Sequence, residues 1–292
     1  MRGELLTMKK ILLLCLFFLI AVSGCAGRGA ITAIIEDYVY EAESVEERKN
    51  IKLGVVAGPY GDMFVESILP FLTPKGYNVE LVVYDDFVKP NLALGNSEVD
   101  LNMFQHYRYL NSFKSEHNLE LSAIAEIPTV SMGIFSERYR RLEDIEDGAL
   151  VTIPDDATNL ARALQVLEAA GVVTIDPLVD KSRATEDNLT RNPNNLTFNK
   201  VPANQLVSEL PNSDFAVING NFAFAGGLII SEALYNEVLQ EGYVNVIAVR
   251  TQDLSRQFVR DILDVIHSDD FRNSIADITS KYSGFQRPRY FY

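Results

Sequence analysis

The sequence predicts an α/β protein with two sets of strands and helices, forming two lobes joined by two strands. Short β-rich runs alternate with helical periodicity, starting with residues 51–56, a loop at Gly58-Pro59 and a periodic stretch over 63–71. Such alternation with short connections favours mostly parallel sheets covered by helices on both faces. Because the elements after Gly242 resemble the first set, we expect the chain to cross back to the first lobe.

The elements follow in order along the two sets. The first set has predicted strands at 79–84, 99–103 and 121–127 and helices at 90–95 and 105–117. The second has strands at 130–135, 150–153, 198–201 and 215–219, helices at 159–170, 203–210 and 231–239, and a structureless stretch at 180–195. A strand at 244–249, a helix at 255–267 and a final helix close the chain. We expect lobe 1 to hold residues 51–129 and 246–292, and lobe 2 to hold 130–245.

The composition indicates a globular protein and argues against one that binds nucleic acid. The 292 residues carry 26 Lys and Arg against 40 Asp and Glu, a net charge of −14, with 47% apolar residues. This is a globular composition, and it argues against nucleic-acid binding, which needs clustered cations. The only cysteines are Cys15 and Cys25, so disulfides should not stabilise the body.

The first 24 residues read as a lipoprotein signal peptide. Two lysines precede twelve consecutive apolar residues at 11–22, too few to span a bilayer but typical of a secretory signal. The following Ser23-Gly24-Cys25 looks like a bacterial lipobox, whose cysteine is acylated; the alternative is an ordinary signal with a chance cysteine. Two or three acyl chains would anchor the protein to the cell-envelope membrane, on its periplasmic or extracellular face.

Residues 25–50 are predicted to be a lipidated tether. Acidic residues are frequent and large apolar residues few after Tyr40, which is typical of a solvated linker. Helical spacing from Ile31 to Tyr38 leaves a short docking helix as the alternative.

No enzyme signature is present in the sequence. The body offers three histidines and no cysteine, without a HExxH motif or a P-loop. Surface or cap roles therefore suit His117 and His267 better than metal ligation. We expect no catalysis, no metal and no cofactor.

The start of the helix near Thr158 is a candidate ligand site. Asn159 and Arg162 lie three residues apart, so they share a helix face in the first turn. A cation there opposes the helix dipole unless an anion lies beside it. That anion is either Asp155 or Asp156, in a structural salt bridge, or the carboxylate of a ligand.

Two strand ends supply further candidates. Phe104 and His106 lie where a strand is followed by a helix, the usual ligand position in open α/β sheets, although Phe104 alone also suits a core role. Asn219, before Gly220, ends the equivalent strand of the second set. Its amide suits an ammonium and a carboxylate together, whereas turn formation is the simpler role of Asn-Gly.

In combination these segments resemble the NlpA family, the methionine-binding lipoproteins of ABC importers. The matching segments, in chain order, are 51–54 (IKLG), 58–59 (GP), 89–94 (KPNLAL), 98–106 (EVDLNMFQH), 132–136 (MGIFS), 153–159 (IPDDATN), 162–164 (RAL) and 216–223 (AVINGNFA).

The resemblance implies a two-lobed periplasmic-binding-protein fold of type 2, each lobe a mixed sheet flanked by helices, with a two-strand hinge. It implies that Arg162 holds the ligand carboxylate, Asn219 its backbone polar groups, and Phe104 and His106 its thioether. The implied partners are L-methionine or a similar amino acid, the membrane, and an ABC permease and ATPase complex.

Two positions depart from the family pattern. Val130 stands where methionine binders usually carry Tyr before Pro-Met-Gly, and Tyr60 replaces the His that often follows Gly-Pro. The side-chain pocket therefore either lacks one aromatic wall or takes it from Tyr60. Alternatives are a receptor for another amino acid or for a short peptide such as Gly-Met, and a non-transporting surface lipoprotein on the same fold.

Overall fold

The computed structural model describes residues 49–277 and 279–292. The predicted signal peptide, Cys25 and the tether up to residue 48 lie outside the described residues. The strands are β1 (Asn50–Val56), β2 (Asn78–Tyr84), β3 (Leu101–His106), β4 (Leu121–Glu126), β5 (Gly133–Phe135), β6 (Leu150–Pro154), β7 (Thr174–Ile175), β8 (Leu189–Arg191), β9 (Thr197–Val201), β10 (Phe215–Ile218), β11 (Tyr235–Asn236) and β12 (Asn245–Arg250). The α-helices are α1 (Pro59–Ser67), α2 (Leu69–Leu72), α3 (Lys89–Gly95), α4 (Tyr107–Glu116), α5 (Ala157–Ala169), α6 (Leu206–Glu209), α7 (Gly220–Ala225), α8 (Gln257–Ile266) and α9 (Asp269–Ala276).

Two five-stranded mixed sheets confirm the predicted α/β class. Sheet A has the order β2-β1-β3-β12-β4, and sheet B the order β11-β5-β10-β6-β9. In sheet A, β1 pairs in parallel with β2 and β3, whereas β12 returns antiparallel between β3 and β4. The returning strand makes sheet A mixed, although alternation alone favoured mostly parallel pairing.

Helices cover both faces of each sheet because the strand residues alternate between two cores. In β12, Ile247 and Val249 join the core formed with α1 and α8, while Val246 and Ala248 join the core formed with α3 and α4. Strand β10 alternates in the same way between the two cores of sheet B. This pattern is the one expected for strands buried on both faces.

The chain passes between the sheets twice. The first crossing, residues 127–132, connects β4 to β5, and the second crossing, residues 237–244, connects β11 to β12. Gln286, near the C-terminus, is bonded to both: its backbone pairs with Thr129, and its side-chain Nε2 donates to the carbonyl of Glu237 at 2.6 Å.

Hydrogen bonds among buried amide side chains hold the end of β3, the strand that carries two predicted site residues. Asn91 in α3 accepts hydrogen bonds from Asn102 and Gln105 at 2.9 and 2.7 Å and donates one to Gln105. Because these amides satisfy one another, a polar strand segment is buried without leaving those groups unpaired. The strand extends through His106, whereas the sequence predicted that it ended at residue 103.

The predicted helix over 231–239 is wrong. The segment forms a 3₁₀ turn at Ile230–Glu232 followed by β11, whose Tyr235 pairs with Ile134 of β5. Backbone pairing to a neighbouring strand overrides a weak helical preference here. The stretch 180–195 also contains structure: two 3₁₀ turns, and β8, which pairs with β7.

Candidate functional site

One narrow cavity, with about 20 Å³ of space open to a water-sized molecule, brings the predicted ligand-binding residues together. Its lining includes all seven of them: Tyr60, Phe104, His106, Val130, Asn159, Arg162 and Asn219. The starts of α1 and α5, the ends of β3 and β10, and the first crossing supply these side chains.

Arg162 is the charged group at this cavity. It is 4% exposed, and Glu237 of the second crossing accepts from its Nε at 2.8 Å and from its Nη2 at 2.6 Å. Burial by itself lowers the pKa of Arg162, but the adjacent Glu237 carboxylate more than offsets this, so the pKa lies above its ordinary value. The remaining guanidinium nitrogen, Nη1, makes no hydrogen bond to a described residue.

The expected structural partners of Arg162 were wrong. Asp156 is instead the N-cap of α5 and accepts from the backbone N–H of Asn159 at 3.0 Å, while Asp155 is exposed. The anion that offsets the unfavourable helix-dipole position of Arg162 comes from Glu237, 75 residues along the chain.

A second group of polar side chains lies next to Arg162. Asn159 Oδ1 accepts from Asn219 Nδ2 at 2.7 Å and lies 3.3 Å from His106 Nε2. Asn159 Nδ2 donates to both carboxylate oxygens of Asp156, at 3.1 and 3.0 Å. Asn219 is 3% exposed, and its Oδ1 has no partner among the described residues.

His106 is held neutral in this group. Its Nδ1 accepts the backbone N–H of Tyr109 at 3.1 Å, so the neutral ring carries its proton on Nε2. Burial, followed by the positive charge of Arg162, lowers the pKa of His106 well below its ordinary value.

Aromatic rings form the apolar wall of the cavity. The Phe87 ring centroid lies 5.8 Å from that of Phe104 and 5.7 Å from that of Tyr109. Tyr60 is fully buried, and its hydroxyl accepts the backbone N–H of Val130 at 3.3 Å. Tyr60 therefore lies against the smaller Val130 side chain at this wall, and burial raises its pKa.

Sequence reasoning missed several lining residues and the partner of Arg162. Phe87 follows the carboxyl end of β2, the same kind of position that singled out Phe104, so this signal was present. Glu237 had no local signal, because only the tertiary fold brings it to Arg162. The other lining residues missed are Gln105, Tyr109, Gly220, Asn221 and Asn245.

A larger concavity lies elsewhere, beside α4 and β4. It is an open groove with about 1080 Å³ of space open to a water-sized molecule, and none of the predicted ligand-binding residues lines it. The smaller cavity is the better candidate because it combines a buried cation with the Asn219 oxygen, which has no partner among the described residues.

The described part of the chain shows neither a metal site nor a membrane-spanning helix. No cluster of three or more His, Cys, Asp or Glu side chains there is arranged to hold a metal ion. Within residues 49–277 and 279–292, no helix is both long enough and apolar enough to cross a membrane.

The chain is similar to known proteins in both sequence and fold. The methionine-binding lipoprotein MetQ of Bacillus subtilis is 30% identical over 246 residues, covering 82% of this chain and 88% of that protein. The D-methionine-binding lipoprotein MetQ of Escherichia coli is 28% identical, covering 77% and 84%. A nutrient binding protein from Burkholderia cenocepacia, solved with bound methionine, superposes with a TM-score of 0.74 at 30% identity, covering 80% and 97%. The profile of the NlpA lipoprotein family matches residues 51–289, and the chain belongs to that family.

Proposed function

We propose that this chain is a substrate-binding lipoprotein that captures L-methionine, or a closely related amino acid, and delivers it to an ABC transporter. One observation carries the proposal. Neither Arg162 Nη1 nor the buried Asn219 Oδ1 has a hydrogen-bond partner among the described residues, and both residues line the same cavity. A cationic donor and a neutral acceptor together match the α-carboxylate and α-ammonium of an amino acid.

The electrostatics of the cavity suit a zwitterion. Arg162 is paired with Glu237 and His106 is neutral, so the charges of these three side chains nearly cancel before a ligand enters. A zwitterion adds no net charge to this buried site, whereas a singly charged ligand would add an uncompensated one.

The apolar wall suits a thioether side chain. Phe104 and Phe87 present aromatic edges and faces beside the polar end of the cavity, and sulfur–aromatic contacts contribute about 0.3 to 1.5 kcal/mol each. The methionine bound to the Burkholderia protein and the names of the two MetQ relatives agree with this ligand class.

Capture is coupled to closure of two lobes in this proposal. Lobe 1 holds residues 51–129 and 246–292 and lobe 2 holds 130–245, so the cavity takes residues from both. A ligand that contacts both lobes only when they are closed favours the closed state by its differential affinity. The closed, loaded form then docks on the permease and ATPase complex, with acylated Cys25 holding the protein at the membrane. The chain itself performs no catalysis.

Calorimetry on the detergent-solubilised full-length protein tests the ligand. L-methionine, D-methionine, the other amino acids and Gly-Met are titrated separately. Saturable binding of L-methionine, or of one of the related compounds, supports a transport receptor and identifies its ligand. If none of them binds, the transport function fails and the non-transporting surface lipoprotein takes its place.

Arg162→Lys tests the binding mode. The lysine ammonium keeps a charge next to Glu237 but lacks the guanidinium face that carries Nη1. We expect methionine affinity to fall about 10- to 150-fold, the equivalent of one charge-assisted hydrogen bond. Arg138→Lys, at an exposed arginine that pairs with Asp214 outside the cavity, is the matched control. Equal affinities of the two variants would remove Arg162 from the site.

A further inference from the structure

The unpartnered oxygen of Asn219 requires an explanation, because buried polar atoms are normally hydrogen-bonded. Asn219 is 3% exposed and lines the cavity, and its amide nitrogen is already used in a 2.7 Å bond to Asn159 Oδ1. Turning the amide over would place two oxygens at that short distance, so the observed orientation holds as long as Asn159 presents its oxygen.

Asp156 determines which end of Asn159 faces Asn219. Burial raises the pKa of Asp156, but both of its carboxyl oxygens accept from the same Asn159 Nδ2. The nitrogen of Asn159 is therefore held toward Asp156 and its oxygen toward Asn219.

His106 reinforces the same orientation from the other sheet. The backbone N–H of Tyr109 occupies Nδ1, so the ring offers a donor at Nε2, 3.3 Å from Asn159 Oδ1. Two donors, on His106 and Asn219, thus converge on one oxygen, and a reversed Asn159 amide would meet both with its own donor.

We propose that Asp156 is a positioning residue that, through Asn159, fixes the Asn219 amide with its oxygen free for the ligand. The site is thereby selective for a ligand whose α substituent donates hydrogen bonds, such as an ammonium group, over a carboxylate that lacks one. This inference rests on the proposed function. A site built to bond a polar group discriminates strongly against an analogue without it, because the acceptor is then left buried and unpaired.

The test compares the affinities of two ligands with the same skeleton, L-methionine and 4-(methylthio)butanoate, which lacks the amino group. The readout is the dissociation constant of 4-(methylthio)butanoate divided by that of L-methionine. Both are measured by calorimetric displacement on the full-length protein. For Asp156→Asn, which can still cap α5 but also offers a donor to Asn159, we expect this ratio to fall at least about tenfold relative to the unsubstituted protein. Asp156→Ser, another N-cap residue too short to hold the Asn159 amide, should lower it as well.

Loss of a helix cap alone is controlled by Ser268→Ala. Ser268 caps α9 by accepting the backbone N–H of Phe271 at 3.1 Å, away from the cavity. The ratio should stay unchanged in this variant even if its stability falls. A ratio unaltered in both folded Asp156 variants overturns the role of Asp156, whereas a full-length protein that binds no methionine overturns the proposed function instead.

Discussion

At the scale of single residues, the Arg162–Glu237 pair determines the charge of the cavity. Both side chains are less than 10% exposed, and two hydrogen bonds of 2.8 and 2.6 Å join them. Glu237 Oε2 also accepts the backbone N–H of Met132 at 3.1 Å, so the carboxylate is bonded on more than one side. Such a pair is stable only as a pair, because either member alone is a buried charge.

A double-mutant cycle on this pair should therefore be strongly non-additive. We expect Arg162→Met and Glu237→Leu to lower the free energy of unfolding by about 3 to 5 kcal/mol each. The double variant should lose clearly less than their sum, since it leaves no unpaired charge. Urea unfolding at neutral pH measures all three values. Arg141→Met, at the exposed Arg141–Asp144 pair, should change little; additive losses at Arg162 and Glu237 would show that the two do not depend on each other.

His106 gives the stability of the protein a pH dependence. Its pKa is lowered by burial, so the unfolded chain, with a pKa of about 6.5, takes up a proton that the folded protein does not. The contribution of the neutral His106 ring to the free energy of unfolding is complete above about pH 6.5. As the pH falls toward the folded-state pKa, this contribution decreases by about 1.4 kcal/mol per pH unit.

His106→Asn should flatten this dependence, because asparagine can still cap α4 without titrating. Urea unfolding of the ligand-free protein between about pH 7 and about pH 5 gives the two profiles. His267→Asn, at an exposed histidine away from the cavity, is the control for replacing a histidine by asparagine. Parallel profiles for the His106 variant and the unsubstituted protein would contradict a buried neutral ring.

At the scale of elements, the sequence predicts those whose signals are local. Helix α5 has an N-cap at Asp156, a buried stripe and Gly171 at the C′ position with φ of 79°, and it lies within two residues of its predicted bounds. Two of its polar residues, Asn159 and Arg162, line the cavity, as their shared helix face implied. Strand β11 could not be predicted in this way, because its pairing with β5 is non-local. Glu237 follows that strand, so the error over 231–239 also concealed the partner of Arg162.

The start of α7 depends on the absence of a side chain at Gly220. A Cβ built there would lie 2.3 Å from the carbonyl oxygen of Ser131 and 2.8 Å from Val130, both in the first crossing. The close approach brings Asn219 beside the crossing and closes one side of the cavity.

Gly220→Ala should therefore weaken methionine binding more than tenfold and lower the unfolding midpoint, because backbone must move to admit the methyl group. Gly284→Ala, where a Cβ would meet nothing within 4 Å, is the matched control and should be neutral or slightly stabilising. Calorimetry and thermal unfolding of both variants measure the effects. Unchanged binding in Gly220→Ala would show that the backbone of the first crossing can move to admit the methyl group without disturbing the cavity.

At the scale of the whole molecule, contacts between the two proposed lobes extend beyond the cavity. One core cluster contains Phe104 and Phe113 from the sheet A side together with Leu206 and Phe222 from the sheet B side. At the surface, Asn204 Nδ2 donates to the backbone carbonyl of Asp85 at 2.9 Å. In the proposed closure, the Asn204–Asp85 hydrogen bond forms when the lobes come together, so it would contribute to affinity without touching the ligand.

Asn204→Ala isolates this contribution. The variant loses a single bond of the closed form, and a lower closed fraction reduces the apparent affinity in proportion. We expect methionine affinity to fall about 2- to 10-fold, the equivalent of one ordinary hydrogen bond, mainly through faster dissociation. Asn78→Ala is the matched control. This exposed asparagine donates to Asn50 at 3.3 Å, and because both residues belong to sheet A the bond does not connect the two lobes. Stopped-flow and calorimetric measurements on both variants separate the rate from the equilibrium. Equal affinity and dissociation rate in the two variants would mean that closure draws its free energy from the cavity alone, and the surface contact would then have no part in retaining the ligand.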